Sequence, residues 1–182
     1  MKIISGIYKG RNILGYNIDG TRPTQDRIKE NLFNSINFLL EDKIVLDLFA
    51  GSGNLGIEAL SRGAKYAYFV DDSKKAIDII KKNINNLNIT NCKTILNDYK
   101  KILNSIDKVD IIFLDPPYKT NYIEESIKLI DKNNILNENG LIICESDNID
   151  KIIYTDKYEV IKSKQYSDKY IVILKKIWYY IN

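Results

Sequence analysis

From residue 44 onward the apolar residues gather in short runs: IVLDLF (44–49), YAYFV (66–70), TIL (94–96), VDIIFL (109–114) and LIIC (141–144). Runs this short and mostly apolar predict buried parallel strands. Between them the spacing turns helical near residues 54–62, 73–88, 98–105 and 121–132. Strands alternating with helices require right-handed crossovers, so the pattern predicts an α/β fold with a mainly parallel, doubly wound sheet. After residue 150, IIYTDKYEVIKSK and KYIVILKKIWYYI read as two longer strands with no helix between them, an antiparallel pair completing one sheet edge. Upstream, Ile28, Leu32, Phe33, Ile36, Leu39 and Leu40 keep helical spacing behind Pro23 and a Thr24 N-cap candidate, predicting a helix to about residue 40. Residues 2–20 alternate weakly and carry Gly6, Gly10, Gly15 and Gly20, as short strands or a hairpin would. The expected organisation is an N-terminal hairpin extension over 1–22 and a main domain over 23–182.

Composition narrows the chemistry. The chain has 182 residues and no His, which removes Ser-His-Asp triads, Cys-His pairs, His-based metal sites and an imidazole base. Two cysteines, Cys92 and Cys144, are too few for a disulfide framework or a zinc site, so no metal is expected. No stretch has the roughly 18 apolar residues of a membrane span and the N-terminus has no signal-like apolar region, so a cytoplasmic protein is expected. Ile, Lys and Asn dominate the sequence, so a single Lys or Asn means little, but the arginines are few. Residues 1–30 hold Lys2, Lys9, Arg11, Arg22, Arg27 and Lys29 against Asp19, Asp26 and Glu30, which accounts for the whole net charge of +3. Three of the four arginines lie there, and a guanidinium fork suits phosphate, so a polyanion-binding patch competes with an ordinary solvated surface.

VLDLFAGSGNLG (45–56) is the first chemical signal: a buried strand ends at Asp47 to Phe49, a turn follows at Gly51 and Gly53, and a helix opens near Asn54. Such a turn lets a ligand approach backbone N–H groups. Gly51, Gly53 and Gly56 spell G-x-G-x-x-G with Asp71 20 residues beyond Gly51, which is also the dinucleotide fingerprint. Asp47 tips the balance, because a carboxylate there would repel a pyrophosphate but suits the ammonium end of S-adenosylmethionine. Asp71 is the candidate for ribose hydroxyls, with Asp72 expected to be solvated. Asp98 could reach an adenine amino group or simply cap a helix.

FLDPPY (113–118) is the second signal, since two of three prolines sit side by side after a buried strand, between a carboxylate and an aromatic ring. An exocyclic amine on a nucleobase has its lone pair delocalised into the ring. It becomes nucleophilic when acceptors draw on its N–H bonds, and Asp115 and the Pro116 carbonyl can supply two. Pro116 and Pro117 fix φ and donate no N–H, which holds those acceptors rigidly. Tyr118 can stack on an extruded base.

TRPTQDRIKENLFNSI (21–36), LDLFAGSGNLGIEALSRGA (46–64) and DIIFLDPPY (110–118) together resemble the bacterial small-subunit ribosomal RNA guanine-N2 methyltransferase family, over nearly the whole chain. The R-P-T-x-D-R stretch is the discriminating segment, because many methyltransferases carry a glycine loop and D-P-P-Y. The resemblance implies a Rossmann-like class I methyltransferase fold, S-adenosylmethionine as donor, and a guanine of the small-subunit rRNA, within an assembling small subunit, as target. It also implies roles: Asp47, Phe49, Gly51, Gly53, Asp71, Asp98 and Thr24 toward the cofactor, Asp115, Pro116, Pro117 and Tyr118 in catalysis, and Lys9, Arg11, Arg22 and Arg27 toward RNA. Three positions depart from the family pattern: Asp71 stands where Glu is usual, Asn54 where Ala is common, and Tyr166-Ser167 where Tyr-Gly is common. A DNA adenine-N6 methyltransferase shares the D-P-P-Y chemistry but usually needs a target-recognition domain, for which these residues leave no space. A nicotinamide oxidoreductase explains neither Asp47 nor FLDPPY. A non-catalytic RNA-binding assembly factor is the remaining alternative.

Overall fold

In the computed structural model, which describes residues 1–15, 23–118 and 120–177, five parallel strands form the body of a sheet. These are β1 (Ile44–Asp47), β2 (Tyr66–Asp71), β3 (Cys92–Leu96), β4 (Val109–Leu114) and β5 (Leu136–Ser146). Two antiparallel strands, β6 (Tyr158–Tyr166) and β7 (Lys169–Lys176), complete it in the order β3-β2-β1-β4-β5-β7-β6. The apolar runs of β1, β4 and β5 are buried on both sides, with alternate residues serving opposite cores, whereas TIL, expected to be a buried strand, lies in the edge strand β3, where Thr94 and Ile95 are only partly buried and Leu96 is 51% exposed. Val45, Phe69, Ile111, Phe113 and Ile143 pack with α1 (Pro23–Ile36), α2 (Asn54–Ser61) and α3 (Lys74–Leu87). Leu46, Val70, Ile112, Leu114 and Ile142 pack with α4 (Tyr99–Leu103) and α5 (Tyr122–Lys132). The doubly wound arrangement expected from the strand and helix spacing is therefore present.

Before β1, three features differ from the expectation, and β5 and β6 differ in extent as well, β5 starting at Leu136 rather than 141 and β6 at Tyr158 rather than 152. Helix α1 stops at Ile36 and a 3₁₀ turn covers Asn37–Leu39, because the apolar stripe slips: Phe38 is 95% exposed while Leu40 is fully buried. Its first residue is Pro23, whose missing N–H costs nothing in a first turn, so Thr24 lies inside the helix rather than at its cap. Residues 1–15 form a loop closed by an antiparallel bridge, Lys2 to Asn12, instead of two extended strands. The remainder of the expected hairpin, residues 16–22, lies outside the described residues.

That N-terminal loop is fastened to the body by buried polar groups. Glu58 of α2, fully buried, accepts the Ile4 N–H at 2.9 Å and the Ser5 N–H at 3.1 Å. Its charge is met by Lys29 at 3.3 Å and Arg62 at 2.8 Å. Asn83 of α3 accepts the Leu14 N–H at 2.8 Å and donates to the Leu14 carbonyl at 3.1 Å. Asn54 also finds a purpose here, its Oδ1 accepting from Lys29 at 2.8 Å.

Candidate active site

The strand registers gather charge at one rim of the sheet. Asp47, the last residue of β1, is in register with Phe69 of β2 and Phe113 of β4. Asp71 ends β2, Asp115 follows the last residue of β4, and Leu114 pairs with Cys144, which sets Glu145 of β5 next to the Asp115 level. Because β7 runs antiparallel, its first residue, Lys169, comes to the same rim, one step beyond the Ser146–Tyr170 pair. Strand order reverses between β1 and β4, the position at which open α/β sheets form a ligand crevice. Here it opens into a cleft of about 1280 Å³ that Asp47, Asp71, Asp98, Asp115, Glu145 and Lys169 all line.

The glycine turn builds one half of the cleft. Gly51 has φ 56° and an added Cβ would meet nothing within 4 Å, so the requirement there is backbone conformation with open space in front. Gly56 is required for the opposite reason: a Cβ would lie 2.3 Å from the Phe69 ring, on which α2 packs. Asp47, 2% exposed, accepts the Gly56 N–H at 3.0 Å. Burial, with Asp71 nearby and only the Gly56 N–H in opposition, pushes its carboxyl up to about 7. No ion pair to Asp47 forms among the described residues, so the charge of its ionised form has no side-chain counterion there.

Asp71 accepts the Gly51 N–H at 2.8 Å on Oδ2 and the Ser73 N–H at 2.9 Å on Oδ1. It thereby ties the glycine turn to the start of α3, and each oxygen keeps a second lone pair for a ligand hydroxyl. Asp72 is exposed. Asp98 caps α4, with Oδ1 accepting from the N–H groups of Lys100 at 2.9 Å and Lys101 at 3.3 Å, so the helix-cap alternative is realised while the side chain still borders the cleft. Phe49 lies 5.9 Å from Tyr122 in a parallel stack and 5.3 Å from Tyr99, which is itself 4.8 Å from Tyr122. The sequence reading missed the two tyrosines. The available signal was an aromatic residue opening each of the two helices, α4 and α5, that follow β3 and β4.

D-P-P-Y forms the other half. Asp115 is partly buried, Pro116 is buried and Pro117 is exposed. Burial first, then Glu145, raises the Asp115 carboxyl well above the usual carboxylate range, against the opposing charge of Lys169. Tyr118 donates to Glu145 Oε1 at 2.9 Å, and Lys169 Nζ pairs with the same oxygen while lying 5.4 Å from the centre of the Tyr118 ring. The Tyr118 carbonyl accepts from Lys151, and Thr120 donates to the Pro117 carbonyl at 2.7 Å. The loop is thus fixed on both sides. Glu145 and Lys169 belonged to no recognised motif.

The basic candidates are only partly brought together. Lys9, Arg11 and Arg27 are exposed. Arg11 donates from Nη2 to the Asn86 carbonyl in the last turn of α3 at 3.0 Å, so part of its fork serves that helix end. Arg22 and the side chain of Thr24 lie outside the described residues. Among the described residues, no group of acidic or sulfur side chains could hold a metal ion, and no helix is long and apolar enough to cross a membrane.

Residues 1–175 match the family described as conserved hypothetical protein 95. The chain is 37% identical over 169 residues to ribosomal RNA small subunit methyltransferase D of Haemophilus influenzae, covering 90% of this chain and 88% of that protein. It is 35% identical over 148 residues to the Escherichia coli protein of the same name, covering 81% and 75%. The solved structure of yhhF from Escherichia coli superposes with a TM-score of 0.89 at 30% identity, over 97% of this chain and 98% of that one. With the fold, the glycine turn and the D-P-P-Y loop in place, the chain belongs to the bacterial small-subunit rRNA methyltransferase family, of the S-adenosylmethionine-dependent class.

Proposed function

We propose that the protein methylates the exocyclic N2 amine of one guanine in small-subunit rRNA, in the cytoplasm and on an assembling particle. The observation that carries this reading is the placement of Asp47 and Asp115 at the ends of neighbouring strands β1 and β4, lining one cleft. One is suited to a cationic ligand and the other, with the Pro116 carbonyl, to an amine. S-adenosylmethionine supplies an electrophilic methyl group when bound. In this reading Asp47 and the turn at Gly51 and Gly53 hold its amino-acid end and Asp71 its ribose, while Asp98 and the aromatic wall at Phe49 border its adenine. Thr24, in the first turn of α1, completes the cofactor side.

Asp115 and the Pro116 carbonyl accept the two N–H bonds of the target amine, which leaves its lone pair facing the methyl group. Transfer of that methyl group would leave positive charge on the amine nitrogen beside the Asp115 carboxylate, which would stabilise it. Asp115 would then take up the proton released from nitrogen. Pro117 keeps the loop rigid, and Tyr118, anchored through Glu145, forms one wall for an extruded base. Lys9, Arg11, Arg22 and Arg27 supply phosphate contacts, which suits a base already unpaired in folded RNA better than one inside a duplex.

The test is transfer of labelled methyl groups to small-subunit particles that lack the modification, followed by mass spectrometry of the digested RNA. N2-methylguanosine is expected. Methylated adenine in duplex DNA would replace this reading with the adenine-N6 alternative, and S-adenosylmethionine binding without transfer to any particle would favour the assembly factor.

A further inference from the structure

Glu145 and Lys169 have no task in cofactor binding or in polarising the amine, yet they form a tight ion pair inside the cleft. The pair is 14% and 20% exposed, and the Tyr118 hydroxyl fixes the same carboxylate oxygen. Sheet order places their strands in sequence beyond Asp115: β4 carries Asp115, β5 carries Glu145 and β7 carries Lys169. The polar groups beside the amine therefore run acceptor, acceptor, donor.

Guanine's Watson–Crick edge has the complementary order, with two N–H donors at N2, one at N1 and an acceptor at O6. Adenine presents an amine beside a bare N1 lone pair, which would face the Glu145 carboxylate. 2,6-Diaminopurine keeps the 2-amino group but offers an acceptor at N1 and an amine at position 6, so both contacts would set like against like. Resting on the reading that Asp115 and Pro116 hold N2, we propose that Glu145 and Lys169 are specificity-determining residues that read N1–H and O6 of the target guanine. The pair then acts partly by rejection, since a wrong base leaves a desolvated carboxylate and ammonium unmatched.

The experiment uses small-subunit RNA rebuilt by ligation around the nucleotide that mass spectrometry identifies as methylated, carrying either guanine or 2,6-diaminopurine there. For the wild-type protein, kcat/KM should fall by about 100-fold or more with diaminopurine. In Glu145→Gln, whose amide can donate to a bare N1, and in Lys169→Met, that ratio should shrink to below about tenfold, with S-adenosylmethionine affinity by calorimetry within about twofold of wild type. A purely structural role would lower both substrates together and leave the ratio unchanged. Equal use of both bases by the wild type, or an undiminished ratio in both variants, overturns the inference. If Glu145→Gln does not bind S-adenosylmethionine, Lys169→Met alone decides. Absence of N2-methylguanosine from the wild-type reaction on unmodified RNA refutes the underlying function instead, and is separately visible.

Discussion

Replacing Asp47 by Asn should make the protein more stable and less able to hold its cofactor. The carboxyl is pushed from 3.8 to about 7 because the rim of the sheet and the glycine turn bury it with a single N–H for company. A folded value above the unfolded one means that protons favour the folded state. Below 3.8 both states are protonated and there is no penalty. Between 3.8 and about 7 the unfolded carboxyl ionises while the folded one does not, so stability falls with rising pH, and above 7 the full penalty applies. At about 1.4 kcal/mol per unit, a gap of roughly three units amounts to about 4 kcal/mol at pH 8 and roughly 1.5 kcal/mol at pH 5. The substituted amide would keep an oxygen for the Gly56 N–H and never ionise, so Asp47→Asn should gain about these amounts. For a chain of this size that is roughly 8–16 °C of melting temperature at pH 8. Calorimetric melts of the cofactor-free protein at pH 5 and pH 8 measure it. Titration of S-adenosylmethionine should show the opposite sign: affinity rising with pH through about 7 in the wild type and at least about tenfold weaker binding in the variant. An Asp47→Asn protein no more stable than wild type at pH 8, or a stability gap that does not widen with pH, would refute the assignment of Asp47 as a destabilising acid awaiting a cation.

Asp115→Ala should abolish turnover, read by methyl transfer, while leaving S-adenosylmethionine affinity within a few-fold. In the wild type, turnover should climb as pH rises through the elevated Asp115 value, because only the ionised carboxylate can stabilise positive charge on the amine nitrogen and take up its proton. Glu58→Ala should cost about 3–5 kcal/mol in denaturant unfolding, since it strands Lys29 and Arg62 in the interior, and should open the Ile4 and Ser5 amides to hydrogen exchange. Ser167 holds φ 52° in the two-residue turn that closes the Tyr166–Lys169 pair, so Ser167→Gly should stabilise by about 1 kcal/mol in the same assay. Lys9→Ala with Arg11→Ala should weaken RNA binding and flatten its salt dependence by a slope of up to about 2 without altering cofactor affinity, the smaller change arising if Arg11 serves mainly the end of α3.

The elements that position the glycine turn and the D-P-P-Y loop were legible because local sequence determines them. A strand buried on both faces is written in apolar residues, the turn after β1 takes Gly51 and Gly53 at positive φ, and the turn after β2 ends on Ser73, a side chain that caps α3. For that reason β1, β2, β4 and the helices after β1 and β2 could be read to within a few residues. The N-terminal loop was less legible. Its hold on the body comes from Glu58, 53 and 54 residues away from Ser5 and Ile4, and a Glu in a helical pattern looks like any solvated residue. The departure at Tyr166-Ser167 leaves the hairpin closed, because Ser accepts the left-handed conformation that Gly would adopt more cheaply.

Lys169 shows why a cleft is harder to read than a motif. Within its own strand it is the first polar residue of KYIVILKK, one Lys among many, with nothing to separate it from Lys164 or Lys175. Its position follows from three facts that no local pattern contains: β7 runs antiparallel to β5, the turn before it has two residues, and the register pairs Ser146 with Tyr170. Together they bring the start of one strand to the end of another, beside a carboxylate whose neighbours in sequence are apolar or small. A one-residue slip in that turn would send Lys169 to the other face of the sheet and leave Glu145 unpaired beside Asp115. The antiparallel edge thus does more than close the sheet, since it delivers an ammonium that keeps two adjacent carboxylates compatible in the same cleft.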